Sequence, residues 1–200
     1  MPINLFRGQS GDKPSLNLEK NQILNLTKEA PELRHIIVGA GWDIAAAGND
    51  IDLDIAAFLL NDRGIVQRVP EDVIYFRNKV ATGIYLDKDN RTGAGEGDDE
   101  RIYVELDKLP SDIHKIVFSV TIHDAEAKRQ TFGMVENSFI RLLDAERNEK
   151  ELCIYNLKEN SAMSTAVLFS ELYREGGAWK YKIISESKVG DLNTLLGLYL

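Results

Sequence analysis

The stretch DIDLDIAAFLL, residues 50–60, decides the fold class of this 200-residue chain. Its second half is apolar at consecutive positions, which is typical of a central β-strand that is covered on both faces. Other apolar runs are short and mostly alternate with polar residues, and Gly, Pro, Asn and Asp cluster between them. About ten predicted strands with short connections, and no regularly alternating helices, favour a mainly β fold, an antiparallel β-sandwich, over a doubly wound sheet.

The other predicted strands lie on both sides of this stretch. Upstream, residues 16–18 and 23–26 are predicted to form an opening hairpin, and the strand that begins at residues 36–39 ends at Trp42 and Asp43. Downstream, strands are predicted at residues 73–76, 102–106, 116–122, 139–143 and 152–157, and residues 166–173 and 179–184 are predicted to form a closing hairpin.

Helical signals are few. The sequence predicts a short helical stretch at residues 124–130, a turn at residues 110–113, and a C-terminal helix within residues 191–199 that Asp191 is suited to cap. No linker interrupts the chain, so residues 1–200 are predicted to form one domain.

The charge balance excludes several classes of partner. Lys and Arg number 24 against 32 Asp and Glu, which gives a net charge of −8, so a generally basic surface for nucleic acid or for an anionic membrane is not expected. The longest strongly apolar run, residues 55–60, is far shorter than the roughly 20 residues that cross a bilayer, and the first residues carry no apolar signal core. A cytoplasmic location without membrane insertion is therefore predicted.

An acidic, glycine-rich segment, DKDNRTGAGEGDDE at residues 87–100, is the main candidate for a functional site. Two carboxylates about 4 Å apart repel by about 4 kcal/mol at an effective dielectric constant of about 20, so a compact loop of this composition needs a cation. Calcium is bound by carboxylate, amide and backbone carbonyl oxygens, and glycines let a chain curl around it. The alternative is a solvated surface loop. The spacing does not fit an EF-hand, which requires glycine at the sixth position, occupied here by Thr92.

A second acidic cluster lies at the start of the central strand. Asp52 and Asp54 alternate with Leu53, so both carboxylates point to the face that Phe58 and Leu60 continue. Carboxylates at the mouth of a buried strand need a partner, and Asp43 and Asp50 add further oxygens nearby. The alternative is an acidic edge that prevents unwanted strand pairing.

Six segments together resemble the tellurium resistance TerD-domain family. In chain order they are VGAGWD (38–43), DIDLDIAAFLL (50–60), DNRTGAGEGDDE (89–100), VTIHDAEAKRQTFG (120–133), SFIRLLD (138–144) and STAVLFSELYREGGAWKY (164–181). The resemblance implies a β-sandwich that binds calcium, with two ions expected between the Asp-Leu-Asp strand and the acidic loop. It carries no established reaction.

The metal site predicted from the two clusters and the resemblance comprises eleven residues: Asp43, Asp52, Asp54, Asp89, Asn90, Gly93, Gly95, Glu96, Asp98, Asp99 and Glu100. Two positions depart from the family pattern. Family members often have an acidic residue at the position of Ala94 and Asp at the position of Glu96, so the geometry of one calcium site is expected to differ.

Five other residues have side chains that could carry a function. His123 and Asp124 follow a strand and could act as an acid–base pair, or His123 could organise the turn there. Cys153 is the only cysteine, which excludes an internal disulfide, and its apolar neighbours favour a core thiol over a reactive thiolate. Trp42 and Trp179 are interpreted as core aromatics or interface anchors.

The sequence therefore predicts a calcium-binding regulatory or scaffold protein of the tellurite and chemical stress response, without catalytic or organic-cofactor-binding residues. Its expected partners are other stress-resistance proteins. Two alternatives remain open: a metal-assisted hydrolase or transferase, and a structural interaction protein in which calcium only joins two loops.

Overall fold

The described residues of the computed structural model, 14–44, 51–87, 97–157 and 162–200, contain thirteen strands and three short helices. The strands are β1 (Leu16–Asn17), β2 (Ile23–Asn25), β3 (His35–Ile44), β4 (Leu53–Leu60), β5 (Val73–Ile74), β6 (Val80–Ala81), β7 (Ile84–Leu86), β8 (Glu100–Glu105), β9 (Lys115–Ile122), β10 (Val135–Asp144), β11 (Lys150–Asn156), β12 (Ala166–Glu175) and β13 (Ala178–Lys188). The helices are α1 (Leu26–Glu29), α2 (Ala125–Lys128) and α3 (Leu192–Leu196), and a 3₁₀ turn spans Phe132–Met134.

These strands form two sheets that pack face to face. A seven-stranded sheet has the order β1-β11-β10-β3-β8-β7-β6, and a six-stranded sheet has the order β2-β13-β12-β9-β4-β5. All pairings are antiparallel except that of β1 with β11. The predicted antiparallel β-sandwich is confirmed.

The central strand β4 is buried on both faces, as its sequence predicts. Ile55 and Leu59 belong to the core between the two sheets, together with residues such as Val38 and Ile102. Phe58 and Leu60 belong to a second cluster, which Leu195 of α3 joins on the other face of the six-stranded sheet. The C-terminal helix therefore covers the outer face of β4, which explains why this strand is apolar on both faces.

The start of α3 and the turn of the last hairpin both form where the sequence predicts them. Asp191 caps α3 in a capping box, because its carboxylate accepts the backbone N–H of Thr194 at 2.9 Å while the Thr194 hydroxyl contacts the backbone N–H of Asp191. β12 and β13 form the predicted closing hairpin, and its turn uses Gly176 and Gly177 at φ of +59° and +77°, angles that glycine adopts without strain.

The predicted opening hairpin is wrong. β1 pairs with β11 in the seven-stranded sheet, whereas β2 pairs with β13 in the six-stranded sheet. The segment between them crosses from one sheet to the other. Alternation of apolar residues identified both strands but carries no information about which strand each one pairs with. Helix α1 and the short strand pair β6–β7 were not predicted from the sequence either.

In the described residues, no helix is long and apolar enough to cross a membrane.

Candidate functional site

The end of the acidic loop enters the seven-stranded sheet beside β3. β8 pairs with β3 so that Glu100 lies opposite Ala40 and Arg101 lies opposite Gly39. The backbone N–H of Asp99 donates to the carbonyl oxygen of Ala40 at 2.8 Å, which extends this pairing by one residue. The three consecutive acidic residues Asp98, Asp99 and Glu100 are thereby fixed at the start of β8, and all three are buried.

Asp98 is held by two arginines on the seven-stranded sheet. Arg141 of β10 and Arg101 of β8 lie on either side of Gly39, one on each neighbouring strand. The Nε of Arg141 donates to Asp98 Oδ1 at 2.6 Å, and the Nε of Arg101 donates to Asp98 Oδ2 at 2.8 Å. We call this group, Asp98 with Arg101 and Arg141, the arginine clamp. The side chain of Asp98 is 0% exposed in it.

Two further carboxylates contact the guanidinium groups of the arginine clamp. Arg101 donates through a second nitrogen to Glu149 at 3.0 Å, and Arg141 does so to Glu151 at 3.3 Å. Burial of the Arg141 guanidinium opposes its ionisation, but hydrogen bonds to Asp98 and Glu151 and the attraction of their charges together outweigh that cost and raise the pKa of Arg141. Both guanidinium groups are therefore charged and engaged with carboxylates.

Gly39 makes room for the Asp98 carboxylate. A Cβ at position 39 would lie 2.4 Å from Asp98 Cγ and 2.5 Å from each carboxylate oxygen, so no larger residue fits without movement. Glycine inside a strand often marks the close approach of another group, and here that group is a carboxylate.

Asp99 and Glu100 accept hydrogen bonds from the backbone. The N–H of Trp42 donates to Asp99 Oδ2 at 3.0 Å, and the N–H of Ile55 donates to Glu100 Oε2 at 2.6 Å. The second bond joins the two sheets, because Ile55 lies on β4, on the edge that β5 leaves unpaired at this position. It places the end of the acidic loop directly beside the Asp-Leu-Asp segment.

The Asp-Leu-Asp segment is anchored by His123 at the end of β9. Asp54 Oδ2 lies 2.9 Å from His123 Nδ1, and the carbonyl oxygen of Asp52 accepts the backbone N–H of His123 at 2.7 Å. The second ring nitrogen, Nε2, is 3.5 Å from Asp124 Oδ2. His123 thus organises the turn after β9, and it also forms a carboxylate–imidazole pair with a predicted metal-site residue.

Asp43, near the C-terminal end of β3, contacts a residue of β10. It is exposed, and its Oδ2 accepts from the Asn137 side-chain amide at 2.9 Å.

Glu100 thus contacts the backbone of the Asp-Leu-Asp strand, whereas Asp98 is bound by Arg101 and Arg141. Within the described ranges, no group of three or more His, Cys, Asp or Glu side chains is arranged to hold a metal ion. Five of the predicted metal-site residues lie outside the described residues: Asp89, Asn90, Gly93, Gly95 and Glu96. The full ligand set stays a prediction.

The arginine clamp was not predicted from the sequence. Arg141 is 43 residues from Asp98, and only the pairing of β10 with β3 and of β3 with β8 brings the two together. One signal was available, because Gly39 and Gly41 interrupt an otherwise apolar strand and glycine there indicates a close backbone approach.

Cys153 and the two tryptophans lie in the core or against it. Cys153 is 1% exposed, and burial raises the pKa of its thiol, so the reactive thiolate is disfavoured. Trp42 is a core residue at 3% exposure. Trp179 is half-buried, and the Arg174 guanidinium stacks over its ring at 4.7 Å from the centroid.

Comparison with known proteins places these features in a family. The model of the TerD domain matches residues 15–199. Tellurium resistance protein TerD of Serratia marcescens is 42% identical over 188 residues, covering 92% of this chain and 97% of that protein. General stress protein 16U of Bacillus subtilis (strain 168) is 43% identical over 183 residues, covering 89% of this chain and 93% of that protein.

Among solved structures, a homologue of telluride resistance protein (TerD) from Streptomyces coelicolor A3(2) aligns with a TM-score of 0.68 at 26% identity. The alignment covers 82% of this chain and 95% of that chain. The present chain belongs to the TerD domain family of tellurium-resistance and stress proteins.

Proposed function

We propose that this protein binds calcium and acts as a regulatory or scaffold component of the response to tellurite and other chemical stress. The observation that carries the proposal is the 2.6 Å hydrogen bond from the Ile55 backbone N–H to Glu100. This bond holds the end of the acidic loop against the edge of β4, the strand that carries the Asp-Leu-Asp segment, although Ile55 and Glu100 are 45 residues apart in sequence.

The chemistry of the donor set supports a hard divalent cation. Asp99 and Glu100 are 3% and 1% exposed, and their hydrogen bonds to Trp42 and Ile55 come from neutral backbone groups. A carboxylate has about four lone-pair sites, so accepting one backbone N–H is compatible with binding a cation as well. Burying carboxylates is costly unless charge of the opposite sign lies close by.

Asp52, Asp54, Asp99 and Glu100, with residues of the acidic loop, are the side chains that would hold calcium. Bound calcium would supply positive charge to this acidic edge and join the loop to β4. Asp98 contributes less to this proposal, because both of its oxygens are engaged by the arginine clamp.

A calcium titration of chelator-treated protein, followed by calorimetry and thermal unfolding, tests the proposal. At free calcium about 100-fold above the dissociation constant, binding to one site adds about 2.7 kcal/mol. In a domain of this size, that raises the melting temperature by roughly 5–11 °C per site. Magnesium should do much less, because it requires a tight six-oxygen shell and loses water reluctantly.

Matched variants make the test specific. Asp99→Asn should reduce the calcium-induced shift, whereas Asp62→Asn, an exposed acid in the turn after β4, should leave it unchanged. An unchanged melting temperature in excess calcium, or an equal effect of magnesium, would contradict calcium binding.

The proposed role is non-catalytic and cytoplasmic, with other stress-resistance proteins as partners and no role for nucleic acid. A calcium-dependent complex with such a partner distinguishes this role from that of a structural protein in which calcium only joins two loops. In the structural case, calcium would raise the melting temperature and leave partner affinity unchanged.

One observation favours a second candidate, a metal-assisted hydrolase. Such an enzyme needs a general base near its metal, and His123 Nδ1 lies 2.9 Å from Asp54. A screen of phosphate and carboxylate esters with and without calcium tests it. Turnover that is lost in His123→Gln would support the enzyme, and its absence with calcium bound would favour the regulatory role.

A further inference from the structure

A cavity of about 400 Å³ opens on the outer face of the six-stranded sheet, beside His123. Its volume is within the range of about 300–1,000 Å³ that is typical of small-molecule sites. Aliphatic side chains of β5 and α3 line it, including those of Val73, Leu192 and Leu196. Tyr75 and Phe76, in the turn after β5, form a wall. An apolar surface with an aromatic wall suits a ligand with an apolar body.

The charges around the cavity favour a positively charged ligand. Three carboxylates line it, those of Asp54, Asp124 and Asp191, against one guanidinium, that of Arg77. Even with the His123 imidazole protonated, the lining keeps an excess of negative charge. Asp124 and Asp191 are both exposed, and 64% of the Asp124 side chain is accessible. An anionic ligand would meet a repulsive rim.

The aromatic wall already accommodates a cation. Tyr75 and Phe76 pack edge to face with their ring centres 5.4 Å apart, and the Arg77 guanidinium lies 5.3 Å from the centre of the Phe76 ring. The face of an aromatic ring attracts cations within about 6 Å of its centre. Phe76 also packs edge to face against His123, with ring centres 5.6 Å apart, which fixes the wall beside the carboxylates.

From the cavity, its charge and its aromatic wall, we infer that this protein has a binding site for a small organic ammonium ion with an apolar chain. The ammonium group lies at the rim, between Asp124 and the Tyr75–Phe76 wall. The apolar chain packs on Val73, Leu192 and Leu196. Binding of this ligand does not require calcium.

Three probes of the same length separate charge from apolar contact: n-hexylammonium, hexanoate and 1-hexanol. Each is titrated into isotopically labelled protein with a chelator present, so that the outcome is independent of calcium binding, and backbone amide NMR shifts are followed. We expect hexylammonium to bind at least about tenfold more tightly than hexanoate, with shifts at residues 73–77, 121–124 and 192–196, and increasing salt to weaken it.

Two variants and a control locate the ammonium group. Asp124→Asn keeps a residue that tolerates the φ of +55° found there, and should weaken hexylammonium binding by about two- to fivefold. Phe76→Leu keeps an apolar side chain and should weaken it by a similar factor, about two- to fivefold. Asp62→Asn lies outside the cavity and should have no effect.

The inference is overturned if hexanoate binds as tightly as hexylammonium, or if the NMR shifts lie outside the cavity. It is also overturned if both Asp124→Asn and Phe76→Leu bind hexylammonium as tightly as Asp62→Asn, with the folded spectrum of each variant intact.

Discussion

Replacing Gly39 with alanine is expected to destabilise the protein by disrupting the arginine clamp. The added methyl carbon would lie 2.4 Å from Asp98 Cγ, whereas ordinary contact begins at 3.4 Å, so the carboxylate must move by about 1 Å. The hydrogen bonds of 2.6 Å and 2.8 Å to Arg141 and Arg101 do not survive such a movement unchanged.

The expected loss of stability follows from three contributions. Overpacking a filled site costs about 1–3 kcal/mol, and a weakened hydrogen bond between charged groups costs about 1.5–3 kcal/mol. Alanine restricts the unfolded chain relative to glycine, which returns about 0.4–1 kcal/mol. The net loss is about 1.5–5.6 kcal/mol, which lowers the melting temperature by roughly 3–22 °C in a chain of this size.

Urea and thermal unfolding in chelator measure this loss, and Gly197→Ala provides the matched control. Gly197 has φ of −57°, and the nearest atom to a Cβ there is 3.4 Å away, so alanine fits. The control should be neutral or slightly stabilising.

A double-mutant cycle identifies the cause. Asp98→Ala removes the group that the new methyl carbon meets, so Gly39→Ala should cost less in that background, with a coupling energy of about 1–3 kcal/mol. Additive effects of the two substitutions, or a Gly39→Ala protein as stable as Gly197→Ala, would refute the steric account of this site.

Three further predictions concern single side chains. Glu100→Gln should lose about 1–3 kcal/mol in chelator, measured by urea unfolding, because a buried amide replaces the charged acceptor of the Ile55 N–H. Asp191→Ala should lose about 0.5–2 kcal/mol at pH 7 by removing the cap of α3. The backbone hydrogen bond from Thr194 lowers the pKa of Asp191, so this difference should be full above pH ~4 and disappear as pH falls through the folded-state pKa. Cys153 should react with a thiol reagent at pH 8 at least roughly tenfold more slowly when folded than in urea, and the protein should show no thiol-dependent reduction of tellurite; equal rates would show that the thiol is accessible.

The strands were predictable where burial alone sets the pattern. β4, β9 and the pair β12–β13 were predicted within a few residues, because their apolar residues repeat with the period of a sheet that is covered on one or both faces. The C-terminal helix was predictable for a different reason. Asp191 and the apolar residues after it are a local signal, and the capping box depends on residues three positions apart.

The pairing partners of the strands were harder to predict from the sequence. β1 and β2 are two and three residues long, and their alternation fits a hairpin as well as it fits two separate sheets. Which arrangement forms depends on the edges that β11 and β13 offer, more than 130 residues away. Short edge strands are therefore the elements for which the local sequence is least informative.

The same limit explains the three consecutive acids at the start of β8. In the sequence, Asp98, Asp99 and Glu100 are equivalent, and all three were predicted as metal-site residues. In the fold, Asp98 lies between two guanidinium groups, whereas Asp99 and Glu100 accept hydrogen bonds from the backbone N–H groups of Trp42 and Ile55. Since only the pairing of β10 with β3 brings Arg141 to Asp98, local sequence could not distinguish the acid that two arginines hold from its two neighbours.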